Sequence, residues 1–123
     1  MGIDFSHCDA HWAYSGFHRF RTKLAKEIGI DLDRMKGFGA TWAGETAAGD
    51  IEWANSKDDP IISLLDHSDC DGHISPGKCK KIAPRLRELV DKWDDEDYDK
   101  QQALLLAEGM ELAANERRNL KFH

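Results

Sequence analysis

The strongest constraint on the fold is a stretch of apolar side chains at helical spacing in the second half of the chain. From Cys79 to Trp93, apolar residues recur at steps of three, one, three, three, one and three. Such steps place the side chains on one face of an α-helix. Ser75 followed by Pro76 is typical of a helix start, because a hydroxyl caps free N–H groups and proline suits the first turn. We therefore predict a helix that begins at this pair and buries its apolar face.

Three further helices are predicted from similar patterns. The first runs over Asp9–Ile28, is capped by Asp9, and carries an apolar stripe. A short helix follows Asp59, and a long one covers about 97–118, with acidic residues in its first turn and arginines in its last. Residues 119–123 are interpreted as a tail. The stripe of the first helix consists of Ala13, Phe17, Phe20, Leu24 and Ile28.

The composition supports a mainly α fold. One valine and three threonines stand beside 13 alanines and 11 leucines in 123 residues. Strands favour β-branched residues, whereas helices favour alanine and leucine. A chain of this length forms one domain. We predict a compact bundle of about four helices that spans residues 1–123 as a single domain.

A long glycine-containing segment, residues 37–57, interrupts the helical pattern. It holds four glycines together with Trp42 and Trp53. Loops beyond about 15 residues are uncommon in compact domains and are often functional. We expect this loop to pack onto the domain, which makes its two indoles candidate ligand-binding groups.

The segment between the second and third predicted helices resembles the interior of a calcium-binding EF-hand loop. Asp69 and Asp71 stand at loop positions three and five, and Gly72 stands at position six, where the loop turns sharply. Both ends depart from the pattern, because His67 takes the first position and Lys78 takes the twelfth, where a bidentate glutamate is usual. The segment is either a calcium site or an EF-hand-like turn whose carboxylates accept backbone N–H bonds.

The cysteine and histidine residues offer a zinc site as an alternative. Zinc takes four nitrogen or sulfur ligands, and Cys8 and His11 together with Cys70 and His73 would supply them. Hydrogen-bonded histidines and a buried cysteine are the competing interpretation. The chain has nine cysteine and histidine residues, and eight of them fall in two groups. The first group is His7, Cys8, His11 and His18, and the second is His67, Cys70, His73 and Cys79. The candidate ligands for zinc or calcium are His67, Asp69, Cys70, Asp71, His73 and Cys8.

A candidate ligand-binding face lies on the first predicted helix. His11, Tyr14 and His18 are spaced by three and four residues, which places them on one helical face. With Arg21 and the tryptophans of segment 37–57, this face suits a planar ligand. The alternative is that Tyr14 and His18 close the edge of the core. No residue is assigned as catalytic, since the spacing fixes no acid or nucleophile beside these histidines.

The charge balance excludes several function classes. The chain has 17 basic and 23 acidic residues, a net charge of −6 with neutral histidines. General nucleic-acid binding needs a basic face and is not expected. No apolar run reaches the roughly 18 residues of a membrane span, and no charged-then-apolar leader opens the chain. Three cysteines fit a disulfide framework poorly, so we expect a cytoplasmic protein.

Three segments resemble a family of short acidic proteins of bacteria and their phages. They are His7–Phe17 (HCDAHWAYSGF), Leu64–Gly72 (LLDHSDCDG) and Asp97–Leu104 (DYDKQQAL). The resemblance spans nearly the whole chain and implies a stand-alone cytosolic protein of bacterial or phage origin. It carries no catalytic residues over to this chain.

Taken together, the sequence favours a small binding protein that is not an enzyme. The predicted ligand is a small nucleotide-type molecule, or else the protein inhibits a protein partner. The alternative hypothesis is a structural or hydrolytic protein that holds zinc or calcium.

Overall fold

The computed structural model describes residues 2–29, 59–65 and 72–122. Within these ranges the chain is mainly helical, as predicted, and it also contains two small antiparallel sheets. Segment 37–57 and residues 67–71 of the EF-hand-like segment lie outside the described residues. The helices are α1 (Tyr14–Glu27), α2 (Ile62–Leu65), α3 (Pro76–Val90) and α4 (Tyr98–Glu116), and the strands are β1 (Gly2–Phe5), β2 (Cys8–Ala13), β3 (His73–Ile74) and β4 (Leu120–Lys121).

The N-terminal residues form a β-hairpin, and the predicted helix start at Asp9 is therefore wrong. β1 and β2 pair antiparallel, with Ile3 opposite Trp12 and Asp4 opposite His11. Burial along β2 alternates with a period of two, and Trp12 is fully buried. The error arose because the apolar stripe of the helix was extended backwards over a strand whose partner lies in the first five residues.

The apolar stripe itself is confirmed from Phe17 onward. Phe17, Phe20 and Leu24 of α1 are fully buried, and Ile28 is buried immediately after the helix. Gly29 follows with φ of 76°, a conformation that glycine adopts without steric penalty. The C-terminal end of α1 thus agrees with the sequence, although its start does not.

Helices α3 and α4 pack extensively against each other, and both begin where the sequence predicts. The Ser75 hydroxyl caps α3 by accepting from the N–H of Lys78 at 3.3 Å. The Asp97 carboxylate caps α4 by accepting from the N–H of Asp99 at 2.8 Å. The buried face of α3 consists of the residues that the spacing selected, Cys79, Ile82, Ala83, Leu86, Leu89 and Val90.

The C-terminal residues form a strand, which corrects their interpretation as a tail. Leu120 is fully buried and Phe122 is 4% exposed. Phe122 forms a β-bridge with Phe5, and their rings lie 4.9 Å apart in an edge-to-face arrangement. Strand β4 therefore closes the core beneath the hairpin.

Strand β4 also joins the two histidine- and cysteine-bearing segments. The N–H of Ser6, in the hairpin turn, donates to the carbonyl of Lys121 at 3.0 Å. On the other side, Lys121 is the register partner of His73 in β3. The hairpin turn and β3 thus lie on opposite sides of one strand. None of the helices in the described ranges is long and apolar enough to cross a membrane.

Candidate functional site

An open groove of about 1000 Å³ lies where the hairpin turn meets the end of α4 and the start of β4. Its charged lining residues are Arg117, Arg118 and Lys121 together with Asp9 and Glu116. Ligand sites are concave surfaces in which a few polar groups fix the orientation of the ligand, and this groove is concave and mainly polar. The remaining lining residues are Ser6, His7, Cys8, Pro76, Leu112 and Asn119.

The wall formed by the end of α4 contains an arginine in a left-handed backbone conformation. Arg117 has φ of 57° and ψ of 40°. Its N–H donates to the carbonyl of Ala114 at 3.2 Å, and the N–H of Arg118 donates to the carbonyl of Ala113 at 3.0 Å. These two hydrogen bonds end the helix in a Schellman motif. Glycine is usual at this position, because the left-handed region costs a side-chain-bearing residue about 1–2 kcal/mol. The chain therefore holds an arginine at the groove in spite of a conformational penalty.

Ser6, His7 and Glu116 form a row of polar contacts between the hairpin turn and the end of α4. The Ser6 hydroxyl lies 2.6 Å from Nδ1 of His7, and Nε2 of His7 lies 3.4 Å from the Glu116 carboxylate. The negative charge of the Glu116 carboxylate favours a proton on the ring nitrogen that faces it, so we assign the imidazole proton to Nε2, and Nδ1 then accepts from the serine hydroxyl. The N–H of Lys121 donates to the same hydroxyl at 2.9 Å and fixes its position.

The thiol of Cys8 is packed against α4. A Cβ atom at Gly109 would lie 2.8 Å from both Cβ and Sγ of Cys8, so the two segments are in close contact. Burial, followed by the nearby carboxylates of Asp9 and Glu108, raises the pKa of the Cys8 thiol. A thiol with a raised pKa is a weak nucleophile at neutral pH. The geometry therefore favours a structural role for Cys8.

A second polar group lies on the exposed face of the hairpin. Nδ1 of His11 is 2.8 Å from the carboxylate of Asp4, its register partner, and both side chains are at least half exposed. The hydroxyl of Tyr98 donates to the His11 carbonyl at 2.6 Å, and the side-chain oxygen of Gln102 accepts from the His11 N–H at 2.9 Å. These contacts attach the edge of β2 to α4. This group lies on an open surface, whereas His7 lies in a groove.

The residues of the predicted ligand-binding face do not share one helix. His11 lies on β2, whereas Tyr14 and His18 lie on α1, one helical turn apart. Tyr14 is partly buried against the core. Arg21 is 2% exposed, donates to the carbonyls at the end of α2 at 3.3 and 3.4 Å, and stacks on the ring of Phe17. Trp42 and Trp53 lie outside the described residues.

The predicted metal ligands are only partly within the described ranges. Cys8 begins β2 and pairs with Phe5 of β1, His73 lies in β3 and pairs with Lys121 of β4, and the other four lie outside these ranges. Across residues 2–29, 59–65 and 72–122, no three His, Cys, Asp or Glu side chains are arranged to hold a metal ion. Cys79 is fully buried and its Sγ donates to the carbonyl of Ile74, as the alternative interpretation expected. The four predicted metal ligands outside the described ranges are His67, Asp69, Cys70 and Asp71.

Comparisons with protein-family models, with curated protein sequences and with solved structures gave no significant match to this chain. The assignment of function therefore depends on the chemistry of the groove.

Sequence reasoning identified only part of the groove, since it named Cys8 as a candidate metal ligand and His7 as a member of a cysteine and histidine group. Ser6 and Glu116 were not singled out, and Arg117 and Arg118 were interpreted only as favourable charges at a helix end. The available signal was an arginine at the position after a helix where glycine is usual. That signal becomes informative only when the end of α4 is known to the residue.

Proposed function

We propose that this protein binds a small anionic ligand of the nucleotide type in the groove at the end of α4. The observation that carries the proposal is the left-handed conformation of Arg117, beside Arg118 and Lys121 on the groove wall. Strained residues concentrate at functional sites, where the surrounding structure holds them in place. Guanidinium groups form paired, charge-assisted hydrogen bonds with phosphate oxygens.

The rest of the lining fits the other parts of such a ligand. The carboxylates of Asp9 and Glu116 would accept hydrogen bonds from sugar hydroxyls. Leu112, which is 44% exposed, offers an apolar surface for a planar base. The opposing charges of the lining favour a ligand with both an anionic group and hydroxyl donors over a simple polyanion such as nucleic acid. This agrees with the net charge of −6.

Isothermal titration with inorganic phosphate, AMP and ATP tests the proposal. We expect saturable binding that weakens by about 10- to 100-fold in Arg118→Ala, since a hydrogen bond to a charged group is worth about 1.5–3 kcal/mol. Lys92→Ala is the matched control, because it removes one positive charge from a side chain that is 72% exposed and not part of the groove lining. Equal affinities for wild type and Arg118→Ala would contradict the proposal.

A second candidate function, binding of a divalent cation, is favoured by the backbone after residue 71. Gly72 has φ of 97°, the left-handed conformation expected at position six of an EF-hand loop, and Ile74 enters a short antiparallel strand. The carboxylate ligands of such a site would be Asp69 and Asp71. Thermal unfolding with calcium, with zinc and with EDTA tests it, and equal melting temperatures in all three would contradict a metal site.

A further inference from the structure

We propose that Ser6, His7 and Glu116 form a hydrolytic centre for small carboxylic esters that carry an anionic group. The inference rests on the proposed function, because the arginine wall of the same groove would hold the anionic group. It also departs from the expectation of a protein without enzymatic activity.

The row of contacts has the three parts that an activated nucleophile needs. Ser6 is the nucleophile, and its hydroxyl lies 2.6 Å from Nδ1 of His7, the ring nitrogen that we assign as the proton acceptor. Glu116 contacts the opposite ring nitrogen at 3.4 Å, where it orients the ring and stabilises the imidazolium. His7 is 13% exposed, so its ring is shielded from solvent while the serine faces the groove.

The hydroxyl is also positioned before any substrate binds. The N–H of Lys121 donates to Oγ of Ser6 at 2.9 Å, and the N–H of Ser6 donates back to the Lys121 carbonyl at 3.0 Å. This pair of hydrogen bonds ties the hairpin turn to β4. Fixing the nucleophile in this way lowers the entropic part of the barrier.

The reaction proceeds in two steps with water as the second substrate. Oγ of Ser6 attacks the ester carbonyl while its proton moves to Nδ1 of His7, and the carbon–oxygen bond to the leaving group breaks. The leaving alkoxide takes that proton from His7 and departs as an alcohol. Water then attacks the acyl-serine while His7 accepts a proton from it; the bond between the acyl carbon and Oγ breaks, His7 returns the proton to Oγ, and the carboxylic acid is released. The side chains of Asn119 and Lys121, which line the groove, would donate to the oxyanion.

Hydrolysis of mono-4-nitrophenyl glutarate, with neutral 4-nitrophenyl acetate for comparison, tests the proposal. We expect wild type to cleave the glutarate ester faster, and His7→Gln to lower its kcat/KM by about 100-fold or more. Glu116→Gln should lower kcat and leave KM unchanged, as expected of a residue that acts through His7. Ser15→Ala, a change to an exposed serine on α1, is the matched control and should match wild type.

Labelling with a fluorophosphonate, followed by peptide mass spectrometry, provides a readout that does not depend on folding of a serine variant. The label is expected on Ser6 and should be lost in His7→Gln. Hydrolysis at the buffer rate, or a label on another residue, would overturn the proposal.

If phosphate binds in an Arg118-dependent manner and neither ester is cleaved, the hydrolytic centre is refuted and the proposed function stands. If both esters are cleaved equally and phosphate does not bind, the proposed function and the anionic substrate class are both refuted.

Discussion

The backbone N–H of Lys121 donates to the hydroxyl of Ser6 at 2.9 Å, although 115 positions separate the two residues in the sequence. This hydrogen bond places the C-terminal strand against the N-terminal hairpin. The groove exists because of that contact, since one of its walls comes from each end of the chain. Stability of the two ends and formation of the candidate site are therefore linked.

The first prediction concerns strand β4. Leu120→Ala should lower the free energy of unfolding by about 2–5 kcal/mol, and Phe122→Ala by about 3–5 kcal/mol, because each leaves a cavity in the core. Lys121→Ala is the matched control: its side chain is exposed, and it keeps the backbone bonds to Ser6. Urea unfolding measures all three. If the Leu120 and Phe122 variants are as stable as the Lys121 variant, β4 is not part of the core.

The second prediction concerns the left-handed residue after α4. Arg117→Gly should raise the free energy of unfolding by about 1 kcal/mol, because glycine adopts φ of 57° without a steric penalty. Arg118→Gly should instead lower the free energy of unfolding by about 0.5–1 kcal/mol, since Arg118 does not have a positive φ. Thermal and urea unfolding of both variants provide the comparison. A destabilised Arg117→Gly would contradict the described helix end.

The third prediction concerns two glycines within helices. A methyl group at Gly109 would lie 2.8 Å from Cys8, so Gly109→Ala should lower the free energy of unfolding by about 1–3 kcal/mol. A methyl group at Gly77 meets nothing within 4 Å, so Gly77→Ala should raise it by about 0.4–1 kcal/mol. Alanine favours the helix more than glycine does at both positions. Only the contact with Cys8 should therefore make Gly109→Ala lower the free energy of unfolding. Two stabilised variants would refute the close approach of β2 to α4.

The fourth prediction concerns stability at alkaline pH. Burial raises the pKa of the Cys79 thiol from 9.0 to about 11. Between these values the unfolded chain loses the thiol proton while the folded chain keeps it, so stability falls as pH rises. The loss over this window is about 3 kcal/mol at 1.36 kcal/mol per pKa unit.

Urea unfolding of wild type and Cys79→Ala at pH 8 to 11, under reducing conditions, isolates this contribution. Wild type should lose more stability with rising pH than the alanine variant, regardless of how their free energies of unfolding differ at pH 8. Parallel pH dependences would show that Cys79 is accessible to ionisation in the folded state.

The helices show how much of this fold the sequence predicts. Ser75 and Pro76 mark the start of α3 because capping is a local interaction, and the apolar steps from Cys79 select its buried face. Strand β2 was missed because its alternation covers six residues and its partner β1 has only four. Short strands become stable through pairing, and pairing is not encoded in a local window.

The candidate site was less predictable for a related reason. His7 was noted in the sequence only as a member of a cysteine and histidine group, and its contact with Glu116 depends on where α4 ends beside the hairpin. Arg117 and Arg118 suit a helix end on electrostatic grounds, and this obscured their place in a groove. Residues that act together from opposite ends of a chain leave no spacing signal between them.

The most direct test of ligand binding in the groove is a phosphate titration followed by ¹H–¹⁵N NMR. The proposed function predicts that the largest chemical-shift changes fall on the backbone amides of residues 6–9, 116–119 and 121, which line the groove. It also predicts that these changes are lost in Arg118→Ala and kept in Lys92→Ala. Changes centred on residues 11–18, or no changes at all, would contradict the account.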